Sequence, residues 1–141
     1  MRVLVTGSRK GVPREKVYEV LDQIYNNWVH DPYANDSPGE RFVVVHGAAR
    51  GVDRMAADWA VGHFMWGEHV DQEAHPATWT DGKKAGPIRN QKMVDLGADL
   101  CIAFPIEGSI GTWDCVRKAR KAGIETMVIR DLVIKSKEED K

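Results

Sequence analysis

Several residues of this chain are of types and spacings that suit binding a phosphate. Three short glycine-bearing segments stand between an apolar run and a helical run: Thr6-Gly7-Ser8-Arg9, His46-Gly47-Ala48-Ala49-Arg50-Gly51-Val52-Asp53 and Gly108-Ser109-Ile110-Gly111-Thr112. Glycine lets the backbone approach a ligand closely, and a helix that follows offers unpaired N–H groups and the positive end of its dipole. Arg9 can pair with a phosphate in a two-pronged geometry, and Ser8 can donate a hydroxyl. The third segment reads as a phosphate cradle, with Ser109 and Thr112 at a helix start. It lacks the lysine of a Walker loop, which argues against triphosphate hydrolysis of that kind, and no segment carries a G-x-G-x-x-G fingerprint.

Other residues read two ways. Asp53 and Asp114 each fall at a helix start, where a carboxylate either complements the dipole or accepts from ribose hydroxyls. Arg89 and Asn90 follow Gly86-Pro87 in a first helical turn; a basic residue there opposes the dipole, which favours an anionic partner. Trp79, in a polar stretch, can stack on a base. His46 ends a strand, where a structural and a catalytic histidine read alike. Cys101 reads as a strand core residue, and Cys115, with no His tied to it by sequence, as a buried or neutral thiol rather than a nucleophile. His69 and His75 have no metal spacing, so no metal is assigned.

The elements that must position these residues alternate between short apolar runs and helical spacing, the pattern of a doubly wound sheet. Strands are expected at Arg2–Thr6, Arg41–His46, Glu68–Glu73, Leu100–Phe104 and Glu125–Arg130. A first helix opens at Pro13 and carries Val17, Leu21, Ile24 and Trp28 on one face; a second carries Val52, Ala56, Trp59 and His63. A short helix spans Pro87–Leu96, and a last one starts near Gly111 and stops at Gly123. Asp31–Glu40 reads as a surface loop and Pro76 to Gly86 as a polar excursion. The fold class is therefore α/β: one Rossmann-like three-layer domain, a mainly parallel five-stranded sheet with helices on both faces. The first and fourth strands are expected side by side, with Gly7–Arg9 and Gly108–Thr112 flanking one crevice. The domain is expected to cover 1–134, with a charged tail at 135–141.

Bulk properties narrow the classes. At 141 residues, 43% hydrophobic and 29% charged, the chain suits one soluble domain. A net charge of −1 argues against a general electrostatic grip on nucleic acid. No apolar run approaches the ~20 residues of a membrane span, and no targeting segment is read. Two cysteines make neither a disulfide framework nor a zinc cluster, so a reduced, cytoplasmic setting is expected. Five tryptophans are the compositional oddity; Trp28 and Trp59 read as core or oligomer contacts, and a homodimer is expected.

Taken in order, Thr6-Gly7-Ser8-Arg9, His46-Gly47, Arg50-Gly51-Val52-Asp53, Ala77-Thr78-Trp79, Gly82-Lys83, Ala85-Gly86-Pro87-Ile88-Arg89-Asn90, Ala103-Phe104-Pro105 and Gly111-Thr112 with Asp114 resemble the YspA-like branch of the SLOG (Smf/DprA–LOG) superfamily. The resemblance covers about residues 2–130. It implies a Rossmann-like fold that binds nucleotides or nucleotide-derived ligands such as ADP-ribose or NAD. It also implies kinship with LOG phosphoribohydrolases, which cleave the base–ribose bond of nucleoside 5′-monophosphates. Those enzymes use a Pro-Gly-Gly-x-Gly-Thr loop, a glutamate two residues later and an upstream arginine. Arg89 matches the arginine's role, whereas Pro105-Ile106-Glu107 stands as an insertion before Gly108 and the glutamate position is Cys115. A thiol cannot replace that carboxylate in steadying an oxocarbenium-like centre; Asp114 or Glu107 are the carboxylates left to supply it.

Three functions are expected to compete. The first is a nucleotide sensor or sequestering module needing no cofactor, with phosphate on Gly108–Thr112, Arg9 and Arg89 neutralising it, Asp53 or Asp114 at the ribose and Trp79 over the base. Gly7, Ser8, Gly47, Arg50, Gly51, Asn90, Ser109 and Gly111 complete its binding set. The second is an N-glycosidase or ribosyl-transfer enzyme using Arg89, Asp114 and Glu107. The third, from the DprA side of the superfamily, is single-stranded DNA binding, with tryptophans as a stacking groove.

Overall fold

The computed structural model describes residues 1–34 and 39–130. The predicted domain end at 134, the tail at 135–141 and residues 35–38 of the predicted loop lie outside the described residues. The chain runs β1 (Arg2–Gly7), α1 (Arg14–His30), β2 (Phe42–His46), α2 (Val52–Met65), β3 (Val70–Ala74), a short 3-10 helix (Trp79–Lys84), α3 (Ala85–Asp95), β4 (Leu100–Phe104), α4 (Ile110–Lys121) and β5 (Glu125–Val128). All strand pairs are parallel, in the order β3-β2-β1-β4-β5.

β1 and β4 form the centre because their residues are apolar on both faces, as strands covered from both sides require. Val3, Val5, Ile102 and Phe104 point to one layer, where Val17, Leu21 and Trp28 of α1 and Ala56 and Trp59 of α2 pack on them. Leu4 and Cys101 point the other way, against Met93 and Val94 of α3 and Cys115 and Ala119 of α4. The result is the expected three-layer α/β fold. Trp28 and Trp59 belong to its core, and the Trp59 indole donates to Asp22 Oδ1 at 2.8 Å.

Several boundaries shift from expectation by one or two residues; β5, for one, ends at Val128 rather than Arg130. β3 begins at Val70 rather than Glu68, because the turn that ends α2 still holds Glu68, whose N–H donates to the His63 carbonyl. α3 begins at Ala85 rather than Pro87; proline sits in the first turn, where its missing N–H has no helical partner to lose. At the other end of the molecule's helical set, α4 closes on Gly123 at φ +81°. The Gly123 N–H donates to Arg120 and the Ile124 N–H to Ala119, the paired bonds of a Schellman stop.

Candidate functional site

The strand order reverses between β1 and β4, so their carboxyl-end loops diverge and leave a crevice. The crevice is about 800 Å³ and is lined by the loops after β1, β2 and β4, the 3-10 helix and the first turns of α3 and α4. Of the residues expected to bind ligand or act on it, Gly7, Ser8, Arg9, Gly47, Arg50, Asp53, Trp79, Arg89, Asn90, Glu107, Gly108, Ser109, Gly111, Thr112 and Asp114 all line this one space. Gly51, expected as a ligand contact, does not.

The glycines serve protein packing first. A Cβ on Gly7 would meet Val52 Cγ2 at 2.6 Å, and one on Gly47 would run into the Arg89 guanidinium. Gly51 stands at φ +79°, and a Cβ there would collide with the Ser8–Arg9 backbone, 2.5 Å from the Arg9 carbonyl carbon. Gly51 is thus the point where the loops after β1 and β2 touch, a bond from the Val52 N–H to the Ser8 carbonyl at 3.1 Å fastening them.

Asp53 is 6% exposed, and its Oδ2 accepts from the Gly47 and Ala49 N–H groups at 3.1 and 3.2 Å. It clasps its own loop. Burial pushes its carboxyl above the ordinary value, against the opposing pull of the Ala49 amide, His46, Arg89 and the Gly47 amide. His46 is structural: its Nδ1 accepts from the Ala48 N–H at 3.0 Å, so Nε2 carries the proton and donates to Gln72 Oε1 at 2.6 Å. Ser8 also turns inward, its hydroxyl donating to the Lys10 carbonyl at 2.5 Å.

Across the crevice a polar chain joins α3 to α4. Arg89 donates through Nη1 to the Gly47 and His75 carbonyls and through Nε to Asn90 Oδ1 at 3.0 Å. Asn90, 5% exposed, passes its own amide hydrogens to the Gly111 carbonyl at 3.3 Å and Asp114 Oδ2 at 3.0 Å. Lys118 closes the chain on Asp114 Oδ2 at 2.8 Å and on the Pro87 carbonyl at 3.0 Å. Burial alone would raise the Asp114 carboxyl, but the Lys118 ammonium and Asn90 amide outweigh it and hold the group below its usual range. Asp114 is therefore an anion at neutral pH, with Oδ1 left toward Arg117 at 3.9 Å. Arg89 Nη2 makes no hydrogen bond among the described residues.

The first turn of α4 is open. The Gly111 and Thr112 N–H groups have no acceptor among the described residues, as the start of a helix leaves them. Thr112 is 4% exposed, lines the crevice, and its hydroxyl has no hydrogen-bond partner among the described residues. Ser109 is committed to the loop, accepting from the Ile106 N–H at 2.9 Å. At the mouth, the Arg9 guanidinium lies 5.8 Å above the Trp79 ring, and the indole is 63% exposed. Glu107 is exposed at the rim.

Cys115, at the position of the phosphoribohydrolase glutamate, is fully buried and offers no group to the crevice. It pairs with Cys101, whose thiol is pushed up by its hydrogen bond to Cys115 and by burial. Sequence reasoning gave no ligand role to Lys10, Lys83 or Arg117 in the lining, or to Lys118 behind it. The four-residue spacing from Asp114 to Lys118 was the available signal for the last. Among the described residues no group of three or more His, Cys, Asp or Glu is placed to hold a metal, and no helix is long and apolar enough to cross a membrane.

Comparison with known proteins agrees with this architecture. A family model described as "YspA, cpYpsA-related SLOG family" matches residues 1–82. The chain is 45% identical over 132 residues to "Gene 61 protein" of Mycobacterium phage D29, spanning 92% of this chain and 97% of that one. No solved structure matches it. The sheet order, the loops around its reversal point and these two matches place the chain in the YspA, cpYpsA-related SLOG family.

Proposed function

We propose that the crevice binds a nucleotide or nucleotide-derived molecule such as an ADP-ribose-like ligand, and that the protein acts as a sensor or sequestering module. The observation that carries this reading is the first turn of α4: two N–H groups and the Thr112 hydroxyl, unpaired among the described residues, line one space with arginines around it. A phosphate there is held by the Gly111 and Thr112 amides and neutralised by Arg9 and by Arg89 Nη2. Asp114 Oδ1 accepts from ribose, and Trp79 covers the base. Asp53, spent on its own loop, shapes the site from behind.

The test is a thermal-shift panel of nucleoside mono- and diphosphates, ADP-ribose, NAD and short single-stranded DNA. A ligand at 100 times its dissociation constant stabilises the fold by ~2.7 kcal/mol. A shift that Arg89→Ala abolishes supports the reading. No shift with any nucleotide, or full affinity in Arg89→Ala, refutes it.

One observation favours hydrolysis of a base–ribose bond as a second reading: Asp114 is an ionised carboxylate in the crevice, suited to steady a positive centre. Free-base release that disappears in Asp114→Ala or Glu107→Ala would establish it, and no turnover across the panel would remove it.

A further inference from the structure

The crevice is strongly cationic in a chain whose net charge is −1. Arg9, Lys10, Arg50, Lys83, Arg89 and Arg117 line it, against the carboxylates Asp53, Glu107 and Asp114. Two of those carboxylates are already compensated: Asp53 by two backbone N–H groups and Asp114 by Lys118 and Asn90. Arg9, Lys10, Arg50 and Lys83 have no carboxylate partner among the described residues. Like charges converging on one concave surface repel each other unless a ligand brings opposite charge. A single phosphate monoester carries about −1.5 to −2 at pH 7, and the α4 turn with Arg89 and Arg9 suffices for it.

Arg50 and Lys83 stand elsewhere, on the loop after β2 and on the 3-10 helix before α3. We infer that Arg50 and Lys83 form a second anion subsite, so that the ligand is a nucleotide carrying a pyrophosphate rather than a single phosphate. This rests on the nucleotide reading of the same crevice. The pyrophosphate spans from the Gly111–Thr112 amides toward the β2 loop, one phosphoryl group per subsite. Lys10, on the loop after β1, lines the same crevice. The pyrophosphate is either terminal, as in a nucleoside diphosphate, or bridging, as in an ADP-ribose-type molecule.

Calorimetric titration of the full chain with inorganic phosphate, inorganic pyrophosphate, AMP, ADP and ADP-ribose tests it, repeated on an Arg50→Ala/Lys83→Ala double variant. Both side chains are exposed, so the variant should fold, and an unchanged urea midpoint verifies that. The expected result is at least tenfold tighter binding of pyrophosphate than phosphate and of ADP than AMP. In the double variant that advantage should fall below about threefold. ADP-ribose binding as tightly as ADP would identify a bridging pyrophosphate; ADP alone gaining would identify a terminal one. Equal affinities for mono- and diphosphates overturn the second subsite and leave the nucleotide reading standing. A pyrophosphate advantage that survives in the double variant overturns the assignment to Arg50 and Lys83. No binding by any of the five overturns both.

Discussion

Replacing Asn90 by alanine should unfasten the two helices that frame the crevice. The side chain is 5% exposed and makes three hydrogen bonds, to Arg89 Nε, the Gly111 carbonyl and Asp114 Oδ2. Two of these partners are charged, each bond contributing ~1.5–3 kcal/mol, and the longer bond to a neutral carbonyl adds ~0.5 kcal/mol. The full sum is not lost, because Arg89 keeps the Gly47 and His75 carbonyls and Asp114 keeps Lys118. Water entering the open crevice solvates what remains. A destabilisation of ~2–3 kcal/mol follows. Urea unfolding followed by circular dichroism measures it, read from the midpoint at unchanged slope. Asn90→Asp supplies the control: it keeps an acceptor for Arg89 but sets a second carboxylate beside Asp114. Its carboxyl is raised in the folded state, so the folded protein binds the proton more tightly and the variant's deficit shrinks as pH falls toward 5. A loss below about 0.5 kcal/mol in Asn90→Ala, or a deficit in Asn90→Asp that grows on acidification, would refute the hub.

Other outcomes follow from single observations. Gly51→Ala should cost ~2–4 kcal/mol from left-handed strain and overpacking against the Ser8–Arg9 backbone, and a urea midpoint within error of wild type would contradict that contact. Glu73 is held down at about 2 by its two bonds to Arg2 and by His75. Glu73→Gln should therefore lose ~1 kcal/mol at neutral pH, a modest figure because the pair is partly solvated. The difference should persist above pH 4.5, the unperturbed value, and vanish as pH falls through about 2; a pH-independent difference would break the assignment. Cys101 and Cys115 are fully buried, so neither should react with a thiol reagent faster than the protein unfolds. Labelling of the native state at a rate independent of denaturant would show an accessible thiol.

The parts of the fold that were legible are those whose burial is written into a run of residue types. β1 and β4 are covered on both faces, so Val3-Leu4-Val5 and Leu100–Phe104 read as continuous apolar strands. β3 is an edge strand with one fully buried residue, Val70, among polar ones, and its start could not be read from alternation. The crevice was legible as a set of loops, since loops after parallel strands gather at one edge. What each glycine faces was not: Gly7, Gly47 and Gly51 are small for Val52, Arg89 and a neighbouring loop, contacts set by tertiary packing. Asp53 and Asn90 carry polar groups that suit a ligand, yet the fold spends them on its own amides and side chains. Lys10 sits beside a residue that was singled out and Lys83 within a quoted motif, but a surface lysine shows no ligand role until the loops come together.

A ligand phosphate on the open first turn of α4 would bond directly to two backbone amides. Amide proton–nitrogen correlation spectra of the labelled protein, titrated with ADP and ADP-ribose, test it at the two atoms concerned. The Gly111 and Thr112 amide protons should move downfield together and more than any others, as amides do on bonding to an anion. Saturating binding with those two signals unmoved, or no shifts anywhere in the spectrum, would contradict it.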